Sequence, residues 1–121
     1  MLSPGPCFTA LERAVLDAIC EMYSSDREIL EAQLSTATLI KRENTGAGFY
    51  TRFKVERGFR AATKGERSRA GPETKSDGLK HGMGFILWLE QGYADCLEGY
   101  SYGESTVGIA VEAVDFEILG A

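Results

Sequence analysis

The sequence predicts an α+β fold, an N-terminal helical hairpin packed on a four- or five-stranded, mainly antiparallel sheet. Three observations predict it. Near the N-terminus an apolar stripe at helical spacing follows a capping-box pattern. In the middle, two stretches alternate apolar and polar residues around a glycine-rich turn. Further on, the apolar run Gly82–Glu104 is divided by Gln91-Gly92 into two extended halves. A chain of 121 residues holds one domain of this kind, so residues 1–121 are read as a single domain.

Met1–Cys7 has two prolines and a glycine and reads as a loose arm. Thr9 with Glu12 forms the first capping box. Leu11, Ala14, Val15, Ala18, Ile19 and Met22 then follow at i, i+3, i+4, i+7, i+8 and i+11, one stripe of a helix. Ser24-Ser25-Asp26 breaks it, and Ser25 with Glu28 offers a second capping box. Ile29, Leu30 and Leu34 predict a second helix over about 26–35, close enough to the first to form an αα-hairpin. Thr36–Glu43 and Phe49–Glu56 read as strands joined by the turn chemistry of Asn44–Gly48.

Residues 57–80 show no sustained period. They form a mobile basic loop or a functional one, or they hide a short strand. The segment carries seven basic and three acidic residues, net +4. The rest of the chain is then −9 within an overall −5. The C-terminal stretch has two apolar phases, Val107/Ile109/Val111 and Val114/Phe116/Ile118, which suggests a turn or bulge between two extended pieces.

The hairpin within Gly82–Glu104 organises the rest. A two-residue loop at Gln91-Gly92 sets Glu90 against Tyr93, Leu89 against Ala94, Leu87 against Cys96 and Phe85 against Glu98. Phe85, Leu87, Leu89, Ala94 and Cys96 then share a core face. Ile86, Trp88, Tyr93, Asp95 and Leu97 share the other. One layer of helices covers only the first. The apolar patch around Trp88 therefore predicts a homodimer with Ile86, Trp88, Tyr93 and Leu97 at its interface.

Composition narrows the function. Hydrophobic content of 44% and charged content of 26% are ordinary for a globular domain. No apolar run approaches a membrane span, and the N-terminus lacks the pattern of a secretion signal, so a cytoplasmic location without membrane contact is expected. An acidic body with one basic segment argues against nucleic acid as partner. Three cysteines without metal-ligand spacing read as reduced thiols, and only Cys7, on the arm, reads as reactive. One histidine gives none of the common zinc patterns, so no metal and no cofactor are expected. His81 alone could act as a general base, but no nucleophile pattern accompanies it and no catalytic residue is assigned. The segment Glu98–Glu104 gathers Glu98, Tyr100, Tyr102 and Glu104 at a strand end, a mixture suited to recognition. Tyr50 and Arg52 extend it.

The segments Arg42–Phe49, His81–Phe85 and Leu97–Glu104 resemble those of small uncharacterised bacterial single-domain proteins. These carry R-E-x-T-G-x-G-F and L-E-G-Y-x-Y-G-E segments in the same order. The resemblance covers most of the chain. It implies a bacterial single domain and adds no activity. Where that set has Trp-Pro after the last glutamate, Ser105-Thr106 stands here.

The resulting expectation is a non-catalytic binding or protein-interaction module, homodimeric or with a protein partner. The first alternative is a small enzyme or small-molecule binder, its pocket lined by Tyr50, Arg52, His81, Glu98 and Tyr102. The second is an acidic inhibitor or immunity-type protein that neutralises a basic partner.

Overall fold

A computed structural model describes residues 7–58, 60–62 and 67–119. The expected N-terminal arm (1–6) lies outside the described residues, as do 59 and 63–66 of the basic segment and 120–121.

Helix α1 spans Ala10–Met22. Its capping box forms as the sequence predicts: the Glu12 amide donates to Thr9 Oγ1, and the Thr9 amide donates to Glu12 Oε1 at 2.8 Å. The buried face carries Leu11, Val15, Leu16, Ile19 and Cys20, rotated slightly from the predicted stripe, and Met22 is exposed. Glu12 is fully buried beneath the same face. Its carboxylate accepts Arg42 Nη2 at 2.6 Å and Arg42 Nε at 3.1 Å, and Thr51 Oγ1 also donates to it. The capping residue thereby ties helix to sheet. Burying a carboxylate is tolerable because both oxygens are occupied by charge-assisted or hydroxyl donors.

A 3₁₀ turn at Ser24–Asp26 leads into helix α2, Arg27–Ser35. The second capping box, Ser25 with Glu28, does not form. Asp26 takes the N-cap position with no side-chain cap bond, because its carboxylate is turned to Arg69 at 3.1 Å. In α2, Leu30 and Leu34 enter the core beside Gln33. The Gln33 amide nitrogen donates to the Gly92 carbonyl (2.9 Å) and the Arg60 carbonyl (3.0 Å), while its oxygen accepts the Ala94 amide (3.0 Å). This one buried side chain fastens the helices to the hairpin turn.

All strand pairs are antiparallel. The strands are β1 (Thr38–Asn44), β2 (Gly48–Lys54), β3 (Ser68–Ala70), β4 (Thr74–Ser76), β5 (Leu79–Glu90), β6 (Tyr93–Ser101) and β7 (Phe116–Ile118), in the order β1-β2-β6-β5-β4-β7 with β3 also on β5. The α+β expectation holds, and the sheet is wider than predicted. Of the alternatives open for residues 57–80, the structure takes the hidden strand, twice. Both strands lie along one edge of β5: β3 pairs with its second half and β4 with its first. The expectation of a loop without secondary structure is thus corrected for 68–70 and 74–76. The period is too short to read, and Arg69, which looks like a loop cation, is buried against Asp26. In the C-terminal stretch, turns occupy the first apolar phase and only Phe116–Ile118 is a strand.

The β5–β6 turn is the predicted two-residue loop. Gln91 and Gly92 both take positive φ, 53° and 84°, as a type I′ turn requires. Glu90 faces Tyr93 and Leu89 faces Ala94, as expected. A bulge then changes the register, so that Trp88 faces Cys96, Leu87 faces Leu97 and Phe85 faces Gly99. Asp95 is the extra residue, and one inserted residue reverses the facing of every position beyond it. Two predicted placements are corrected by this. Leu97, expected at an interface, is fully buried in the core, and Cys96 moves to the opposite face. Gly99 also turns inward. A β-carbon there would come within 2.5 Å of the Phe49 ring and 2.9 Å of Met83 and Phe85, so this register needs glycine.

Candidate functional site

Helix α1 contacts the sheet at β5 and β7 and helix α2 at β6, and the core lies between helices and sheet. The opposite sheet face stays open among the described residues. Strand pairing builds it in rows. Lys41, Arg52, Cys96, Trp88 and Ser68 lie side by side on successive strands. Glu43, Tyr50, Glu98, Ile86 and Ala70 form the next row. The residues between these positions, among them Arg42, Thr51, Leu97, Leu87 and Arg69, point to the helices, because side chains alternate along a strand.

On this face Trp88 is 37% exposed, and its indole N–H donates to Glu98 Oε1 at 3.0 Å. The polar atom of the ring is thus satisfied, and its apolar surface is left facing outward. The Arg52 guanidinium lies 5.1 Å from the Tyr50 ring centre, a cation–π contact. Tyr100 covers Gly84, where any β-carbon would strike its ring, and meets Tyr102 edge-on at 5.6 Å between centres. Cys96 is buried within its row. Burial pushes its thiol up to about 11, with Arg52 opposing and Asp95 and Glu98 reinforcing that shift. It is therefore not poised as a nucleophile. Tyr93 is half-buried at the hairpin tip, with the Arg57 guanidinium 4.5 Å over its ring.

Of the candidate binding residues, Tyr50, Arg52, Glu98 and Tyr100 fall on or beside this face. The other three do different work. Glu104 accepts the amides of Lys80 and His81, each at 2.9 Å, and so clamps the start of β5. Those two donors, His81 first, hold its carboxyl below the ordinary 4.5. Tyr102 donates to Glu73 Oε1 at 3.0 Å. Burial and this bond push its hydroxyl up to about 12. His81 lies apart, in an open groove of about 590 Å³ between β4, β5 and β7. Lys75, Lys80, Asp115 and Glu117 share that groove, and Tyr50, Arg52, Glu98 and Tyr102 do not. The five-residue pocket of the enzyme alternative is therefore not assembled there.

The turn between β1 and β2 meets the chain that leaves β6. The Gly48 amide donates to Thr106 Oγ1 (3.0 Å), Thr106 Oγ1 donates to Asn44 Oδ1 (2.8 Å), and the Ser101 amide donates to the Ala47 carbonyl (2.9 Å). Thr106 is fully buried, so this is a structural lock between the β1–β2 turn and the exit of β6.

Searches against family models, characterised proteins and solved structures returned no match, so the surface is read from its own chemistry. Among the described residues no helix is long and apolar enough to cross a membrane. No group of three or more His, Cys, Asp or Glu side chains among them is placed to hold a metal. Sequence reasoning missed Lys41, Glu43, Ser68 and Ala70 as members of the open face. The alternation of β1 carries the signal for the first two; nothing in the sequence carried it for the pair on β3.

Proposed function

We propose that this protein is a non-catalytic protein-interaction module that works through the open face of its sheet. One observation carries the reading: the helices cover one face only, and the other presents Trp88 and Ile86 between flanking charged residues. An aromatic and aliphatic centre with a charged rim is the composition of a protein-binding patch. Of the binding residues expected from the sequence, Glu104 and Tyr102 are engaged in holding the fold, and Tyr50, Arg52, Glu98 and Tyr100 remain on or beside the open face.

Site-specific photocrosslinking tests this reading. A benzophenone side chain replaces Tyr50 on the face in one variant and His81 in the groove in another, and each is illuminated in extract. Protein adducts, whether to a second copy or to another chain, are expected from position 50. Adducts from position 81 alone would move the functional surface to the groove and favour a ligand-binding reading.

A further inference from the structure

We infer that the occupant of the open face is a second copy of this chain, packed face to face as an aligned β-sandwich. The inference rests on the interaction reading and specifies its partner.

Pairing across the sheet puts both Lys41 and Arg52 in one row, and both Glu43 and Glu98 in the next. One row is therefore basic and its neighbour acidic. The apolar positions follow the same division, with Trp88 in the basic row and Ile86 in the acidic row. Two faces in contact are related by a two-fold axis lying in the plane between them. If that axis runs across the strands, midway between the two rows, it lays the basic row of each copy on the acidic row of the other. Lys41 then meets the second copy's Glu43, Trp88 meets its Ile86, and Arg52 meets its Tyr50, beside its Glu98. An axis along the strands would instead set like rows together, basic on basic and acidic on acidic. The row pattern thus selects one arrangement. It leaves the strands of the two copies nearly aligned, as sheets in sandwiches pack, about 10 Å apart.

Size and edges agree. Four strands of roughly 20 Å and the three-residue β3 of roughly 10 Å, about 4.8 Å apart, give a plan area on the order of 400 Å². Raised side chains bring its accessible surface toward the ~800 Å² per partner of a standard interface. The β1 edge is a poor alternative contact. It is bulged between Leu39 and Lys41, with Ile40 65% exposed, and a bulged edge resists edge-to-edge pairing.

The test uses sedimentation equilibrium of the full chain near 0.15 M salt. Wild type should dimerise at micromolar concentration. Trp88→Glu should raise the dissociation constant about 30-fold or more, the loss expected for a central anchor. Lys41→Glu with Arg52→Glu makes both rows acidic. Glu43→Lys with Glu98→Lys makes both basic. Each double variant alone should be a monomer with a wild-type circular dichroism spectrum, and mixing the two should restore a one-to-one dimer. Restoration needs the two open faces in contact, which a merely misfolded chain could not reproduce. The inference is overturned if wild type stays monomeric, if Trp88→Glu leaves the dimer unchanged, or if the folded double variants fail to pair on mixing. A monomeric wild type that still gives crosslinks from position 50 to another protein would end the second-copy inference alone. Absence of any adduct at that position would end the interaction reading as well.

Discussion

Glu104 illustrates how a side chain suited to recognition can be absorbed by the fold. Its carboxylate closes the amides of Lys80 and His81, donors at the start of β5. Because its folded-state pKa lies below the unfolded value, the clamp contributes stability above that unfolded value and loses it as pH falls through the folded one. Amide chemical shifts of Lys80 and His81 should therefore titrate together with a midpoint below 4.5, and Glu104→Gln should abolish that step. A midpoint at or above 4.5 would mean that the carboxylate is solvated and that the clamp does not persist. The same absorption applies to Glu12, whose capping role is legible in the sequence and whose pairing with Arg42 is not.

The β5–β6 hairpin decides which apolar residues are core. Leu87 is fully buried on the helix side, and Trp88, one position on, lies on the open face. Leu87→Ala should cost about 2–5 kcal/mol in denaturant unfolding, the range for a truncated core leucine. Trp88→Ser, measured in the same way on the monomer, should lose less. Equal losses would show that the Trp88 face is covered from within the chain. The turn of this hairpin was legible because a glycine between two apolar runs has few other readings. The bulge was not, because a polar Asp95 between Ala94 and Cys96 also fits an unbroken alternation, and its effect appears only in the side chains beyond it.

For the molecule as a whole, the segment 57–80 is the least legible part. Its charge suggests a solvated loop, yet Arg69 is 1% exposed and paired with Asp26. Its guanidinium lies 5.4 Å over the Tyr23 ring, and the Tyr23 hydroxyl donates to the Ala70 carbonyl. The amide of Gly71 donates to the Phe85 carbonyl at 2.8 Å, and that of Leu89 to the Arg67 carbonyl at 2.8 Å. Hydrogen exchange should accordingly show slow amides at Gly71 and Leu89 on the timescale of β5 itself. Exchange there as fast as in an unstructured peptide would detach β3 from the sheet in solution.

By itself the sequence determined what depends on neighbours a few residues apart. The capping box of α1, the stripe of each helix, the β1–β2 hairpin and the Gln91-Gly92 turn all follow from local backbone chemistry and short periods. Tertiary structure decided what depends on partners far along the chain. Arg69 is a strand residue because Asp26, 43 positions earlier, neutralises it in the core. Leu97 is core because a bulge and the space above Gly99 let Phe49 and Phe85 close together. The two charged rows of the open face arise only from the pairing of five strands. Each strand supplies one residue to a row, and no single stretch of sequence contains either row.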